Sequence, residues 1–226
     1  MNVCALVPAC NEAATIGDVV RGLQPHVAWI VVVDDGSNDG TGGRARAAGA
    51  TVLRHARMMG KGAAVRTGLS TILPLDYSHV LFIDGDLQHD PAEAPVLIEA
   101  ARAGLADFVI GERAFRRDQM PASRYYTNTI SSWVISAFFA RARVRDAQSG
   151  YRLVATDLLR RLRLSGRRYE IETEMLIKLA RRGARIGRVR ISTRYGVSVS
   201  KLRPVRDTTR TCFLAVRYRF FPERFQ

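Results

Sequence analysis

The chain is poor in lysine, cysteine and long apolar runs, and each shortage closes off a class of protein. Of its 35 lysines and arginines only Lys61, Lys178 and Lys201 are lysines. Cys4, Cys10 and Cys212 are an odd number without metal-ligand spacing, and Cys4 lies inside an apolar stretch. That pattern excludes a disulfide framework and fits a reducing compartment. No apolar run approaches the roughly 18 residues of a membrane-spanning helix, so none is expected. Asn2 to Val7 is a short strand without a basic start or an adequate apolar core, so no signal peptide is expected either. A cytoplasmic location follows as the expectation, with contact to the inner membrane face left open. No Gly-x-Gly-x-x-Gly succeeds the first strand, and Gly60-Lys61-Gly62 lacks the spacing and the hydroxyl residue of a phosphate-binding P-loop. Zinc-finger and RNA-recognition signatures are missing too, and the aromatic residues are not interleaved for base stacking. Nucleic acid is therefore not an expected partner.

What is present is positive charge and a regular alternation of elements. The formal net charge is +14, almost entirely from arginine, with clusters near 113–117 and 181–206. Such an excess attracts phosphorylated substrates, anionic membranes or nucleic acid, although arginines spread over solvated faces carry no such meaning. A length of 226 residues suits one α/β domain. Strands are expected at 3–7, 29–33, 51–54, 80–83 and 108–110, with helices at 15–23, 41–48, 61–73 and 91–103. Strands alternating with helices imply right-handed crossovers and a mainly parallel sheet flanked by helices. Further on, Ile130, Trp133, Val134, Ala137 and Phe138 follow helical spacing, as a core face by default or a membrane face. Asp146 to Arg152 reads as a polar turn entering a strand, 171–182 as a helix and 188–193 as a strand. The acids from Glu170 to Glu174 need no more than the helix dipole to explain them. Residues 206–226 form a basic, aromatic tail compatible with an amphipathic helix resting on lipid, on the domain or on a second subunit, so a homodimer also stays open.

The chemistry concentrates at two strand ends. Val80-Leu81-Phe82-Ile83 runs into Asp84-Gly85-Asp86-Leu87-Gln88-His89, and Trp29 to Val33 runs into Asp34-Asp35-Gly36-Ser37. Ligands of open α/β sheets bind at the carboxyl ends of the strands. Two close carboxylates repel unless a cation or proton lies between them, and a diphosphate needs the same cation. The plainer alternative is a polar turn with both acids solvated. The helix expected from Pro91 also turns free amide groups toward any anion held there.

Taken together, Val7-Pro8-Ala9-Cys10-Asn11-Glu12, Val33-Asp34-Asp35-Gly36-Ser37, Gly60-Lys61-Gly62, Asp84 to His89, Gly111-Glu112-Arg113, Ser149-Gly150-Tyr151-Arg152 and Ser200-Lys201-Leu202 resemble the family 2 glycosyltransferases of the GT-A fold. Within them the dolichol-phosphate mannose synthase-like, polyprenyl-phosphate group is the match, over residues 3 to about 205. The resemblance implies a nucleotide-diphospho-sugar transferase-like domain over 1–205, with a nucleotide-binding half at 1–112 and an acceptor half at 113–205. It implies nucleoside contacts at Pro8, Cys10 and Glu12, with the acid reaching the ribose, and a base contact at Asp35. Lys61 and Gly85 fall within its donor motifs. Asp84, Asp86 and Gln88 look like the site for Mg²⁺ or Mn²⁺ and the donor phosphates. Arg113, Arg194 and Lys201 match basic residues near donor or acceptor phosphates. Cys10 stands where an aromatic residue is common in the family, and Cys10 packing, Glu12 capping the next helix and a solvated Arg194 remain alternatives.

The implied activity is metal-dependent, inverting transfer of a hexose from a nucleoside-diphosphate sugar, of the GDP-mannose or UDP-glucose type, to polyprenyl phosphate. Asp86, Arg113 and Lys201 would act on the leaving diphosphate. A phosphate acceptor is already ionised and needs no base, whereas a hydroxyl acceptor needs one, for which Asp146 is the candidate. A basic binding module without catalysis is the alternative from another class.

Overall fold

The computed structural model describes residues 1–104, 106–113, 129, 146–193, 209, 213, 216–218 and 220. The expected helix around Ile130–Phe138, the residues Arg194 and Lys201, and most of the tail lie outside the described residues.

Seven strands form one sheet in the order β3-β2-β1-β4-β6-β5-β7. In chain order they are β1 (Val3–Ala9), β2 (Trp29–Asp34), β3 (Thr51–Arg54), β4 (His79–Phe82), β5 (Phe108–Arg113), β6 (Arg152–Ala155) and β7 (Ile186–Ile191). Helices α1 (Ile16–Leu23), α2 (Thr41–Ala47), α3 (Lys61–Ile72), α4 (Ala94–Arg102), α5 (Thr156–Arg160) and α6 (Glu170–Arg181) connect them. β1 is buried along its whole length between β2 and β4, both parallel to it. That is why its sequence reads as a nearly unbroken apolar run rather than an alternating one.

Successive β1 side chains serve opposite layers. Val3, Ala5 and Val7 pack with α1, α2 and α4, while Cys4 and Leu6 pack with α3 and α6. α1 meets the sheet through Ile16, Val19, Val20 and Leu23, the i, i+3, i+4, i+7 stripe of an amphipathic helix. α3 comes close enough at Gly68 that a Cβ there would overlap the Leu6 side chain.

β6 alone runs against the others, pairing antiparallel with β4 on one side and β5 on the other. Its direction positions the site. β4 and β5 point their carboxyl ends to one rim, and β6 starts at that rim, with Arg152 opposite both Phe82 and Ile110. The turn at 146–151 is thereby delivered beside the acids that follow β4.

Three details depart from the sequence-based expectation. The helix foreseen over 91–103 is a 3₁₀ turn at Pro91–Glu93 followed by α4. Pro95 lacks the N–H and its ring crowds the carbonyl four residues back, so the α-helix restarts around it. β5 runs on to Arg113, carrying Gly111-Glu112-Arg113 out along the rim. The five-residue α5 was not foreseen, because one turn is too short to show periodicity.

Candidate active site

Three loops meet at the rim, and hydrogen bonds join them. After β1, the Asn11 N–H donates to Ser37 Oγ at 2.9 Å, and its side-chain oxygen accepts the Asn38 N–H at 3.0 Å. Glu12 N–H donates to Thr41 Oγ1 at 2.8 Å and Ala13 N–H to Asp39 at 3.0 Å. Thr15 Oγ1 donates to the Gly85 carbonyl at 2.7 Å, fastening this loop to the turn after β4. Asn11 and Leu87 have φ of 53° and 58°, in the left-handed region that non-glycine residues seldom occupy. Asn tolerates it through local hydrogen bonds. For Leu87, one residue beyond Asp86, it is a held conformation of the kind that clusters at ligand sites.

Pro8 is buried in β1 and Cys10 is half-buried. Gly85 is closely packed: a Cβ there would lie 3.1 Å from Ala9 and 3.2 Å from Ile16, so those side chains would have to give by a few tenths of an ångström. Asp35 is buried and engaged by the chain itself. Its oxygens accept from His55 Nδ1 at 2.7 Å, Met59 N–H at 2.8 Å and Gly60 N–H at 2.7 Å. In this geometry it fixes the approach to α3, and any contact with a base is left to its remaining acceptor capacity.

At the centre stand Asp84 and Asp86. Asp84 Oδ1 pairs with Lys61 Nζ at 2.6 Å, and the same ammonium contacts Glu172 in the first turn of α6. Burial alone would raise the Asp84 pKa, but Lys61 outweighs it and the net direction is down. Asp86 feels Lys61 only weakly. Burial, then the Asp84 and Glu12 charges, push its pKa up to about 6, against the hydrogen bond from Gln88 N–H at 3.1 Å. Glu172 is likewise raised, first by burial. The site therefore concentrates acids in a poorly solvated place. A pocket lined by Pro8, Lys61, Phe82, Asp84, Gly150 and Glu172 opens beside them.

Among the described residues no three His, Cys, Asp or Glu side chains are placed to hold a metal ion by themselves. Mg²⁺ sites that also bind phosphates commonly take one or two carboxylates from the protein. Asp84 and Asp86 fit that demand: they are hard oxygen donors two residues apart whose mutual repulsion a dication would relieve.

Arg113, at the end of β5, lies against Asp146, which accepts its Nε at 2.7 Å, its Nη2 at 2.8 Å and its backbone N–H at 3.2 Å. Asp146 is fully buried. Both of its oxygens accept from Arg113, so the residue expected as a base for a hydroxyl acceptor is found holding that guanidinium. His89 is also buried, 5.5 Å from the Tyr151 ring, and burial followed by the Arg113 charge brings its pKa down to about 4. It stays neutral at physiological pH.

Two residues escaped the sequence-based reading. Glu172 looked like an ordinary helix-start acid, yet it reaches Lys61. Arg152 is wholly buried, and its guanidinium donates to the carbonyls of Ser149, Glu172 and Ala147, each at 2.6 Å. The amides after Asp90 proved less available than expected, since Asp90 itself accepts the Ala92 N–H at 3.0 Å.

Comparison with known proteins agrees with this geometry. The glycosyl transferase family 2 model matches residues 4–162, from β1 through α5. Glycosyltransferase AglJ of Haloferax volcanii is 34% identical over 211 residues, spanning 91% of this chain and 68% of that protein. The undecaprenyl-phosphate mannosyltransferase of Micrococcus luteus is 31% identical over 208 residues, 85% of this chain and 83% of its own. Among solved structures, glucosyl-3-phosphoglycerate synthase from Mycobacterium tuberculosis, in complex with Mn²⁺, UDP-glucose and phosphoglyceric acid, superposes with a TM-score of 0.77 at 24% identity, covering 96% of this chain and 79% of that one. The resemblance seen in the motifs is borne out, and so is the α/β architecture. The chain belongs to glycosyl transferase family 2 and is a glycosyltransferase with the GT-A fold.

Proposed function

We propose that the enzyme transfers a hexose from a nucleoside-diphosphate sugar to a polyprenyl phosphate at the cytoplasmic face of the membrane, with a divalent ion and with inversion at the sugar carbon. The observation that carries this is the acid pair after β4: Asp86, lifted to about pH 6 by burial and its neighbours, lies beside Asp84 on the rim where Arg113 also ends its strand. A Mg²⁺ or Mn²⁺ ion held by Asp84 and Asp86, with Gln88 adjacent, would supply Lewis-acid neutralisation of the departing diphosphate.

The chain's own residues do the rest. Pro8 at the end of β1, with Cys10 and Glu12 on the loop that hydrogen bonds to Ser37 and Thr41 hold in place, borders the nucleoside. Arg113, locked by Asp146, presents a fixed cation near the leaving group, and a preorganised charge acts without reorganisation during the reaction. Lys201 and Arg194 join this set through the resemblance alone. A hydroxyl acceptor would need a base, and Asp146, the candidate for it, is taken by Arg113. A phosphate acceptor needs only to be held and aligned. That commitment favours the lipid phosphate named for the Micrococcus relative over the phosphoglyceric acid bound in the mycobacterial structure. No described helix is long and apolar enough to cross a membrane.

The test is a thermal-shift and turnover screen of GDP- and UDP-sugars with and without Mn²⁺ or Mg²⁺, against polyprenyl phosphate, a polyprenol and phosphoglycerate. Ligand binding to the folded state must raise its stability. Asp86→Ala is expected to keep its melting temperature and lose both the metal-dependent shift and turnover. A folded wild-type protein that neither binds nor turns over any donor with either ion refutes the proposal, and product on the hydroxyl acceptors alone refutes its acceptor.

A further inference from the structure

Lys61 is where a cation already sits in the acid site. Its backbone is set by close contacts: Gly60 has a φ of 98°, and the Gly62 N–H donates at 3.1 Å to the Arg167 carbonyl, so the start of α3 is fixed against the segment before α6. The side chain is mostly buried, with the ammonium touching both Asp84 and Glu172 and lying 5.7 Å over the Tyr169 ring. Glu172 is anchored in turn, because Arg152 holds its backbone carbonyl. One ammonium thus bridges a carboxylate of the proposed metal site and a carboxylate outside it.

We infer that Glu172 is a positioning residue that retains Lys61 when a dication claims Asp84, and so sets the affinity of the site for that ion. The inference rests on the metal reading given above. Before the ion binds, Lys61 offsets part of the acid charge through its contacts with Asp84 and Glu172. When the ion binds, the ammonium must leave Asp84. Without Glu172 the carboxylate left in contact with it among the described residues would be Asp84, and it would compete with the ion for that group. With Glu172 it shifts a short way, stays buried and paired, and remains beside the diphosphate that the ion brings. Glu172 need not touch metal or substrate to do this.

The experiment measures Mn²⁺ affinity by the electron paramagnetic resonance signal of free ion, with UDP or GDP present, for the wild type, Glu172→Gln, Lys61→Met and the double variant. Asp86→Ala serves as the control for the site itself. Glu172→Gln is expected to weaken Mn²⁺ binding by about tenfold with Lys61 in place and no more than about threefold in the Lys61→Met background, a coupling within the range of contacting residues. Thermal melts confirm that each variant is folded, and Glu172→Asp, which keeps the charge but shortens its reach, should fall between wild type and Glu172→Gln. Equal losses in both backgrounds would show Glu172 acting on the ion directly and overturn the inference, as would no loss in either. If the wild type itself binds no Mn²⁺ with nucleotide present, or if Asp86→Ala binds as well as wild type, the metal reading falls first and this inference with it.

Discussion

Replacing Arg152 by Met should destabilise the enzyme by an amount that can be worked out from its contacts. The guanidinium is 1% exposed and donates three hydrogen bonds of 2.6 Å, all to backbone carbonyls. Methionine fills most of the stem volume but leaves the carbonyls of Ala147, Ser149 and Glu172 without that donor. An acceptor stranded in a buried place costs about 1–3 kcal/mol, but the Glu172 carbonyl keeps its own bond within α6 and forfeits only about 1 kcal/mol, so the three together give a gross loss of roughly 3–7 kcal/mol. Opposing this, the substitution removes a buried cation. Burial brings the Arg152 pKa down to about 10, which shows that the site disfavours the charge even with Glu172 and Asp146 nearby. Losing that burden, together with some entry of water, moves the net to the low end, about 3 kcal/mol. For a domain of this size each kcal/mol lowers the melting temperature by roughly 2–4 °C, so a drop of roughly 6–12 °C is expected in a calorimetric scan, with a matching fall in the urea midpoint. Arg152→Lys should recover only part of it, since one ammonium cannot reproduce the planar fork. A Met variant within about 0.5 kcal/mol of wild type, the range of ordinary surface changes, would refute the idea that this side chain holds the turn before β6 to the start of α6.

Two further outcomes follow from buried contacts elsewhere. The Glu174 carboxylate accepts from Ser165 and Gly166 amides, from Tyr218 OH at 3.0 Å and from Lys178 Nζ at 3.0 Å, and despite burial these partners lower its pKa. A carboxyl lowered on folding adds stability above its unfolded pKa and loses it as pH falls through the folded one. Urea titrations should therefore show Glu174→Gln less stable by about 3 kcal/mol at pH 7, with the gap closing as the pH drops through and below the ordinary carboxylate range; a gap constant down to pH 3 would contradict this. At Gly62 a Cβ would run into the Gly166 carbonyl, whereas at Gly40 nothing lies within 4 Å although its φ is +90°. Gly40→Ala should cost only about 1–2 kcal/mol for its left-handed backbone, and Gly62→Ala considerably more despite alanine's better helix propensity, as comparison of their melting temperatures would show.

The first half of the fold was legible because each element there is long or continuous enough to declare its period. β1, β2 and α1 bury complete runs or stripes, and the expected boundaries fall within a residue or two of the structure. The second half was harder for identifiable reasons. β6 is four residues long, and the direction of so short a strand is set by its neighbours rather than by its own sequence. The split of the helix after Asp90 comes from Pro95, whose effect is local and was overshadowed by the helix-starting signal of Pro91. The acids after β4 were recognisable because a second buried strand, β2, also ends in clustered acids at the same edge of the sheet. Asp146 was noticed for its charge, but its bond to Arg113 spans 33 residues and no local pattern foretells it.

Lysine usage holds the signal that would have exposed the missed part of the site. A chain that uses arginine almost everywhere for positive charge has lysine at 61 and 178, and the structure buries both against carboxylates: Lys61 between Asp84 and Glu172, and Lys178 beside Glu174. At surface pairs such as Arg185 with Asp107 the guanidinium fork lies flat against one carboxylate, with two donors engaged. A compact ammonium on a flexible stem instead meets acceptors from several directions as a point charge. Lys61 answers to a β4 loop on one side and to α6 on the other, and the pairing explains why an acid in the first turn of α6 is buried at all. A lysine that stands out against an arginine-rich background therefore points to its carboxylate partners, and at residue 61 it leads from the nucleotide-binding half of the sequence to Glu172 in α6, an acid that the helix dipole alone had seemed to explain.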